Sequence, residues 1–371
     1  MHYIEIETED ALRALLASNS VVEQVAFQNM DLSAIPVDGS IQFYDCIFMG
    51  CRIPDQLYAR QCTECHIFPQ MDVPFNMFPP QLYTAEDLYN GYETGNPDSY
   101  QLCMDSRIYT HYIKMGKEAG SIKETLARRL HDHSITDALY GFLESYESTK
   151  VVAIMGGHGL LRNDDMFAKV AVISKRLTES GYLLISGGGP GAMEATHVGA
   201  WFASRDEKEM LDAIALLSKA PGYSDALWLD TAFEVQALYP QSGYESVGIP
   251  TWLYGHEPPT PFATRIAKYF ANSVREDGLL AIAKGGVIFS PGSAGTIQEI
   301  FQDATQNHYL SFGIASPMVF LDSHYWNVER PVYPLLKRMD EDGKYQNMIL
   351  SLYDREDDVI AEIERFKQRQ Y

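Results

Sequence analysis

From Lys150 onward, short wholly apolar runs alternate with stretches whose apolar residues recur every three or four positions. Val151-Val152-Ala153-Ile154-Met155 reads as a buried strand ending at Gly156-Gly157-His158-Gly159. Asp165–Ser180 has the amphipathic period of a helix and is closed by Gly181. Tyr182-Leu183-Leu184-Ile185 is a second strand, followed by a helix and an insertion over about 205–240 that reads as irregular. Gly248–Leu253 is a third strand. Thr260-Pro261 carries the cap and first-turn residues of a helix running to about Glu276. Val287-Ile288-Phe289 and Ser316–Leu321 are further strands, and the tail from Arg330 adds two helices and an edge strand. Strands alternating with helices predict an α/β fold with a doubly wound, parallel, Rossmann-like sheet over 149–330 and a C-terminal extension over 331–371.

Residues 1–80 follow another rhythm. Phe27 and Leu32 are five apart, as are Phe43, Phe48 and Ile53; two positions earlier, Val25 and Met30, then Ile41, Cys46 and Cys51, repeat the spacing. Five fits neither helix nor strand. It resembles a few coils of pentapeptide repeats, which implies a short β-solenoid-like region with small and apolar side chains inside. Residues 69–100, rich in Pro, Gly and Tyr, read as a packed linker, and 105–148 as helix, so that 81–148 forms a helical flank.

The solenoid reading makes the cysteines core filler, because an unoxidised Cys packs as a small hydrophobe. The alternative is a zinc site from Cys46, Cys51, Cys62 and Cys65, whose unpaired first half fits poorly. Cys62-Thr63-Glu64-Cys65-His66 has haem-attachment spacing, but such attachment requires export. No metal and no cofactor is expected. A formal charge of −21 argues against nucleic-acid binding, which needs basic surface. The absence of a long apolar run or a basic-then-apolar N-terminus argues against a membrane partner and for the cytoplasm.

Chemistry concentrates in two glycine loops about a hundred residues apart, Ser186-Gly187-Gly188-Gly189-Pro190-Gly191-Ala192 and Ser290-Pro291-Gly292-Ser293-Ala294-Gly295-Thr296. Strand, glycine turn and helix present backbone N–H groups to an anion, so a phosphate ligand is expected on Gly188–Ala192 and Gly292–Thr296. Arg265, Lys268, Asn272 and Arg275 fall at offsets of three, four and three, which on a helix makes a cationic ridge. Glu299 has two readings. Thr296-Ile297-Gln298-Glu299 fits a capping box, and the same Glu suits an ionised carboxylate aimed over a phosphosugar pocket.

Gly188-Gly189-Pro190-Gly191-Ala192-Met193 and Pro291-Gly292-x-x-Gly295-Thr296-x-x-Glu299 resemble the paired motifs of the Lonely Guy family, phosphoribohydrolases once misnamed lysine decarboxylases. Val151-Val152 with Gly156-Gly157-His158, Pro190–Ala195 and Glu257-Pro258-Pro259-x-Pro261 are similar to its bacterial branch of pyrimidine/purine nucleotide 5′-monophosphate nucleosidases. The resemblance spans roughly 150–325. It departs at Ser293, where the family usually has Gly, and in a spacing from Arg275 to the second motif that is about one residue long.

The resemblance implies a hydrolase that cuts nucleoside 5′-monophosphates to ribose 5-phosphate and free base, working as a homo-oligomer. Its catalytic pair falls on Glu299 and Arg275. Substrate contacts fall on Gly157, His158, Gly188, Gly189, Gly191, Ala192, Met193, Glu194, Arg265, Lys268, Gly292, Ser293, Gly295 and Thr296. The alternative is a non-catalytic nucleotide sensor on the same core.

Overall fold

The computed structural model describes residues 3–35, 40–61 and 65–368. The chain divides into two compact units, residues 1–82 with 111–140 and residues 83–110 with 141–371. The region 81–148 is therefore no single flank: 81–82 and 111–140 belong to the first unit, 83–110 and 141–148 to the second.

In the first unit, strands β1 (Ile4–Ile6), β3 (Val25–Gln28), β5 (Ile47–Met49) and β6 (His66–Phe68) stack in parallel, and β2 (Val21–Glu23) stacks on β4 (Gln42–Tyr44). Phe27 pairs in register with both Ile6 and Phe48, so one coil takes 21 residues. The corners explain the spacing of five. Gln24, Asn29, Asp45 and Gly50 all have left-handed backbone, with φ between 48° and 66°. Each corner turns the chain and returns the next inward position to the axis. There Phe27 and Phe48 stack with ring centroids 5.0 Å apart. This is a short β-solenoid. Cys46 and Cys65 are buried in it, and Cys51 is partly buried.

In the second unit, seven parallel strands form one sheet in the order β10-β9-β8-β7-β11-β12-β13. They are β7 (Val151–Met155), β8 (Leu183–Ser186), β9 (Ser246–Gly248), β10 (Arg265–Ile266), β11 (Gly286–Phe289), β12 (Met318–Leu321) and β13 (Leu350–Tyr353). The wholly apolar strands are buried on both sides by helices, as a parallel sheet requires. Helix Asp165–Glu179 packs on Ala192–Trp201 and on Glu356–Gln368, and Asn272–Ile282 packs on Ala294–Tyr309. The sheet is Rossmann-like. Its order reverses between β7 and β11, and the crevice beyond strand carboxyl ends at such a switch point is where ligands enter open α/β sheets.

Three expectations need correction. The third strand expected over Gly248–Leu253 is instead Ser246–Gly248, and Trp252–Tyr254 is a short 3₁₀ helix. The insertion at 205–240 holds two regular helices, Glu207–Leu217 and Trp228–Leu238. The helix expected over 262–276 does not exist: Arg265–Ile266 is the edge strand, an irregular stretch follows, and the helix begins at Asn272. The reason is burial. Phe262, Ala263, Ile266, Ala267, Tyr269 and Phe270 are all buried, leaving no polar face for a surface helix. Arg265 and Lys268 therefore share no ridge with Arg275. Among the described residues, no helix is long and apolar enough to cross a membrane.

Candidate functional site

Three loops meet at the switch point through the backbone of Gly157. Its N–H donates to the Pro291 carbonyl at 3.1 Å, and its carbonyl accepts from Ala192 N at 3.2 Å. Contacts this close exclude side chains. A Cβ on Gly191, where φ is +71°, would lie 2.4 Å from the Gly157 oxygen. A cavity of about 310 Å³ opens beside this junction. Gly156, Gly157 and His158 after β7 line it, with Ser293, Ala294, Gly295 and Thr296 after β11. Met193 forms part of the wall, as do Tyr254 and Glu257 from the β9–β10 connection.

Helix Asn272–Ile282 supplies Arg275 and Glu276, and helix Ala294–Tyr309 supplies Gln298 and Glu299. Arg275 is fixed by its Nε, which donates to the Ile249 carbonyl at 2.8 Å. Its Nη1 lies 3.8 Å from Oε1 of Glu299 and 3.8 Å from Oε1 of Glu276. The expected pair of Arg275 and Glu299 is thus brought together. Burial raises the Glu299 carboxyl; Arg275 pulls it down, Glu276 pushes it up, and it settles at about 7. The expected lowering of this carboxyl by the helix N-terminus is not seen. The helix is capped at Ser293, so Glu299 sits more than a turn inside it, beyond the reach of the terminal dipole. The same cap position excludes the capping-box reading, because Thr296 lies within the helix.

The helix Ala294–Tyr309 has no side-chain cap at its start, and Ser293, Ala294 and Gly295 are exposed. Uncapped N–H groups facing a cavity form an anion-receptive end. The first glycine loop differs. Residues 186–192 are all buried. Gly188 N–H is taken by Ser186 Oγ at 3.1 Å, Gly188 O accepts from Thr260 N, and Ala192 N–H is taken by Gly157. Gly188 and Ala192 therefore do not offer their N–H groups to a phosphate. Met193 takes the expected place in the wall, and its thioether fills the space beside Gly187 and Gly189.

Three other expected contacts lie elsewhere. Glu194 is fully buried and forms a bidentate pair with Arg162, whose Nε donates at 2.9 Å. Lys268 is fully buried against Asp105, which also accepts from Trp252 Nε1 at 3.2 Å. Arg265 pairs with Glu245 at 3.1 Å and lines a separate depression. Each positive charge is satisfied by a carboxylate from another part of the fold, which sequence spacing does not reveal.

The structure adds Tyr254, Glu257, Glu276 and Gln298 to the site. Glu257 stood in the quoted Glu-Pro-Pro motif and Glu276 beside Arg275, so both signals were present. His158 is half-exposed, with Nδ1 3.6 Å from Glu257 Oε1. In the solenoid, the Cys51 thiol donates to Phe27 O at 3.3 Å, and burial pushes Cys46 and Cys51 up to about 11. Cys62, part of the alternative zinc set, lies outside the described residues. Among the described residues, no three His, Cys, Asp or Glu side chains gather in a group able to hold a metal.

Fold and site together define a parallel α/β protein with a cavity at its switch point, walled by Arg275, Glu257, Glu276 and Glu299 beside an uncapped helix start. No protein-family model and no curated protein matches the chain. Among solved structures it is similar to the molybdenum cofactor binding protein of the phototrophic bacterium Rippkaea orientalis. Identity is 12% and the TM-score 0.36, over 58% of this chain and 96% of that one. The Moco carrier protein of Chlamydomonas rheinhardtii aligns with 13% identity and a TM-score of 0.34, over 59% and 97% of the two chains.

Proposed function

We propose that this chain is a phosphoribohydrolase of the Lonely Guy type, cleaving nucleoside 5′-monophosphates to ribose 5-phosphate and free base. The observation that carries the reading is the Arg275–Glu299 pair in the wall of a cavity floored by an uncapped helix start. The phosphate would sit on the N–H groups at Ser293–Thr296. Breaking the N-glycosidic bond builds positive charge on the ribose ring, as in other glycosyl transfers. Ionised Glu299 would stabilise that charge and orient the attacking water, while Arg275 holds phosphate or ribose oxygens and fixes the carboxylate. With the Glu299 carboxyl at about 7, the ionised form grows as pH rises through neutrality, and turnover rises with it.

The test is to incubate the protein with each nucleoside monophosphate and separate the released bases by chromatography. Release of base from nucleotides, and far less from the matching nucleosides, is expected, because the remote phosphate supplies orientation at the reacting centre. Glu299→Gln should keep nucleotide affinity and lose about 10²–10³ in turnover. Nucleotide binding without any released base would overturn catalysis and leave a sensor on the same core.

A further inference from the structure

Arg275 does not serve Glu299 alone. Its Nη1 stands at equal distance, 3.8 Å, from one oxygen of Glu299 and one of Glu276. The two carboxylates differ in support. Glu276 Oε1 accepts from Asn272 Nδ2 at 2.8 Å, and Glu276 Oε2 accepts from Gln298 Nε2 at 2.6 Å. Among the described residues, Glu299 is paired only with the guanidinium. Glu276 thus ties helix Asn272–Ile282 to helix Ala294–Tyr309 through the residue next to Glu299. All three charged side chains are nearly buried, with 10–13% of each exposed. At such burial charges interact far more strongly than in water.

On the nucleosidase reading, we infer that Glu276 is a positioning residue: it shares the Arg275 guanidinium with Glu299 and so sets how much positive charge the reacting carboxylate feels. A guanidinium divided between two carboxylates stabilises each less than it would one alone. Glu276 also repels the Glu299 charge directly, and this repulsion opposes the pull of Arg275. Both effects keep Glu299 protonated to higher pH. The other titratable groups of the cavity wall are His158, after β7, and Tyr254 and Glu257, from the β9–β10 connection. Asp303 follows four residues later on the helix of Glu299, buried, with Oδ2 unpartnered. Among the described residues, Arg275 and Glu276 are the charges that act on Glu299, the first lowering its carboxyl and the second raising it.

The experiment compares the full-length wild type with Glu276→Gln and Glu276→Ala. Carboxyl ¹³C spectra of Glu-labelled protein are recorded against pH, with the Glu299 signal assigned by its loss in Glu299→Gln. Both neutral variants should lower the Glu299 midpoint by about one pH unit, since one like charge is removed and the guanidinium is released to one partner. Glu276→Asp, which keeps the charge, should stay near wild type. The acid limb of the pH–rate profile with a nucleoside monophosphate should move by the same amount. An unmoved or raised midpoint in both folded neutral variants would overturn the role of Glu276. Should no nucleotide be hydrolysed, the spectra still decide Glu276, and the failure falls on the nucleosidase reading alone.

Discussion

The two glycine loops read alike and are packed in opposite ways. At the first, every residue from Ser186 to Ala192 is buried and the available N–H groups of Gly188 and Ala192 are spent inside the protein. Behind it Ser186 Oγ meets His197 Nε2 at 2.8 Å, and His197 Nδ1 meets Ser246 Oγ at 2.9 Å. Burial lowers His197 to about 3, so the ring is neutral and spans the two hydroxyls as a hydrogen-bonding strut. At the second loop, Ser293, Ala294 and Gly295 are exposed to the cavity and the helix start is uncapped. The helices that follow repeat the contrast. Glu194 is locked to Arg162 in a bidentate pair, whereas Glu299 meets Arg275 at 3.8 Å and, among the described residues, has no side-chain hydrogen bond of its own. A saturated ion pair holds a fold; a loose one beside a cavity is free to meet a ligand.

The sharpest way to break this comparison is to remove each arginine. Arg162 also donates to Trp228 O at 3.1 Å and Thr231 Oγ1 at 2.8 Å. Arg162→Ala leaves Glu194 buried and uncompensated, which should cost about 3–5 kcal/mol of stability. Arg275→Ala should cost much less in stability and most of the turnover. Urea denaturation of both variants decides it. Equal losses would mean that the two pairs are built for the same purpose.

Next comes the charge of Glu299. Its folded value of about 7 lies above the ordinary 4.5, so between these the native state holds the extra proton. Stability therefore falls as pH rises from the lower value through the upper one. Glu299→Gln has no such proton and should be more stable than wild type at pH 8, by on the order of 2 kcal/mol, with the gain vanishing near pH 4. Thermal melts across that range test the sign. A variant less stable than wild type at pH 8 would show a paired structural carboxylate like Glu194.

The smallest effect is expected from the glycines. Gly188 has φ +70°, and a Cβ there would stand 2.8 Å from Ile249 N, whereas one on Gly295 meets nothing within 4 Å. Gly188→Ala should lose about 1–2 kcal/mol. Gly295→Ala should be neutral or gain up to ~1 kcal/mol, because alanine favours a helix. It should raise the KM for the nucleotide instead.

Much of the fold was legible. The apolar runs of β7, β8, β11 and β12 announced buried parallel strands, since only strands covered on both faces are apolar throughout. The spacing of five between Val25, Phe27 and their successors announced the solenoid through its left-handed corners. The stretch 260–271 was illegible because cap residues and a periodic charge stripe describe local preference, and burial of Phe262, Ile266 and Phe270 overrode it. Glu299 was legible as a residue beside the second loop, and the structure places it in the cavity wall; its raised carboxyl was not legible, because burial depends on neighbours distant in sequence.

By itself the sequence determined the alternation of strands and helices, the coiling of the first unit and the two glycine turns. These follow from local rules: side-chain period, backbone freedom at glycine, and spacing. Only the tertiary structure decided which glycine loop faces a cavity and which cations are free to act. It matched Arg162 to Glu194, Lys268 to Asp105 and Arg265 to Glu245, and left Arg275 between two carboxylates at the switch point. Charge compensation and desolvation act through space, so which cation answers which carboxylate is settled where the chain folds back on itself.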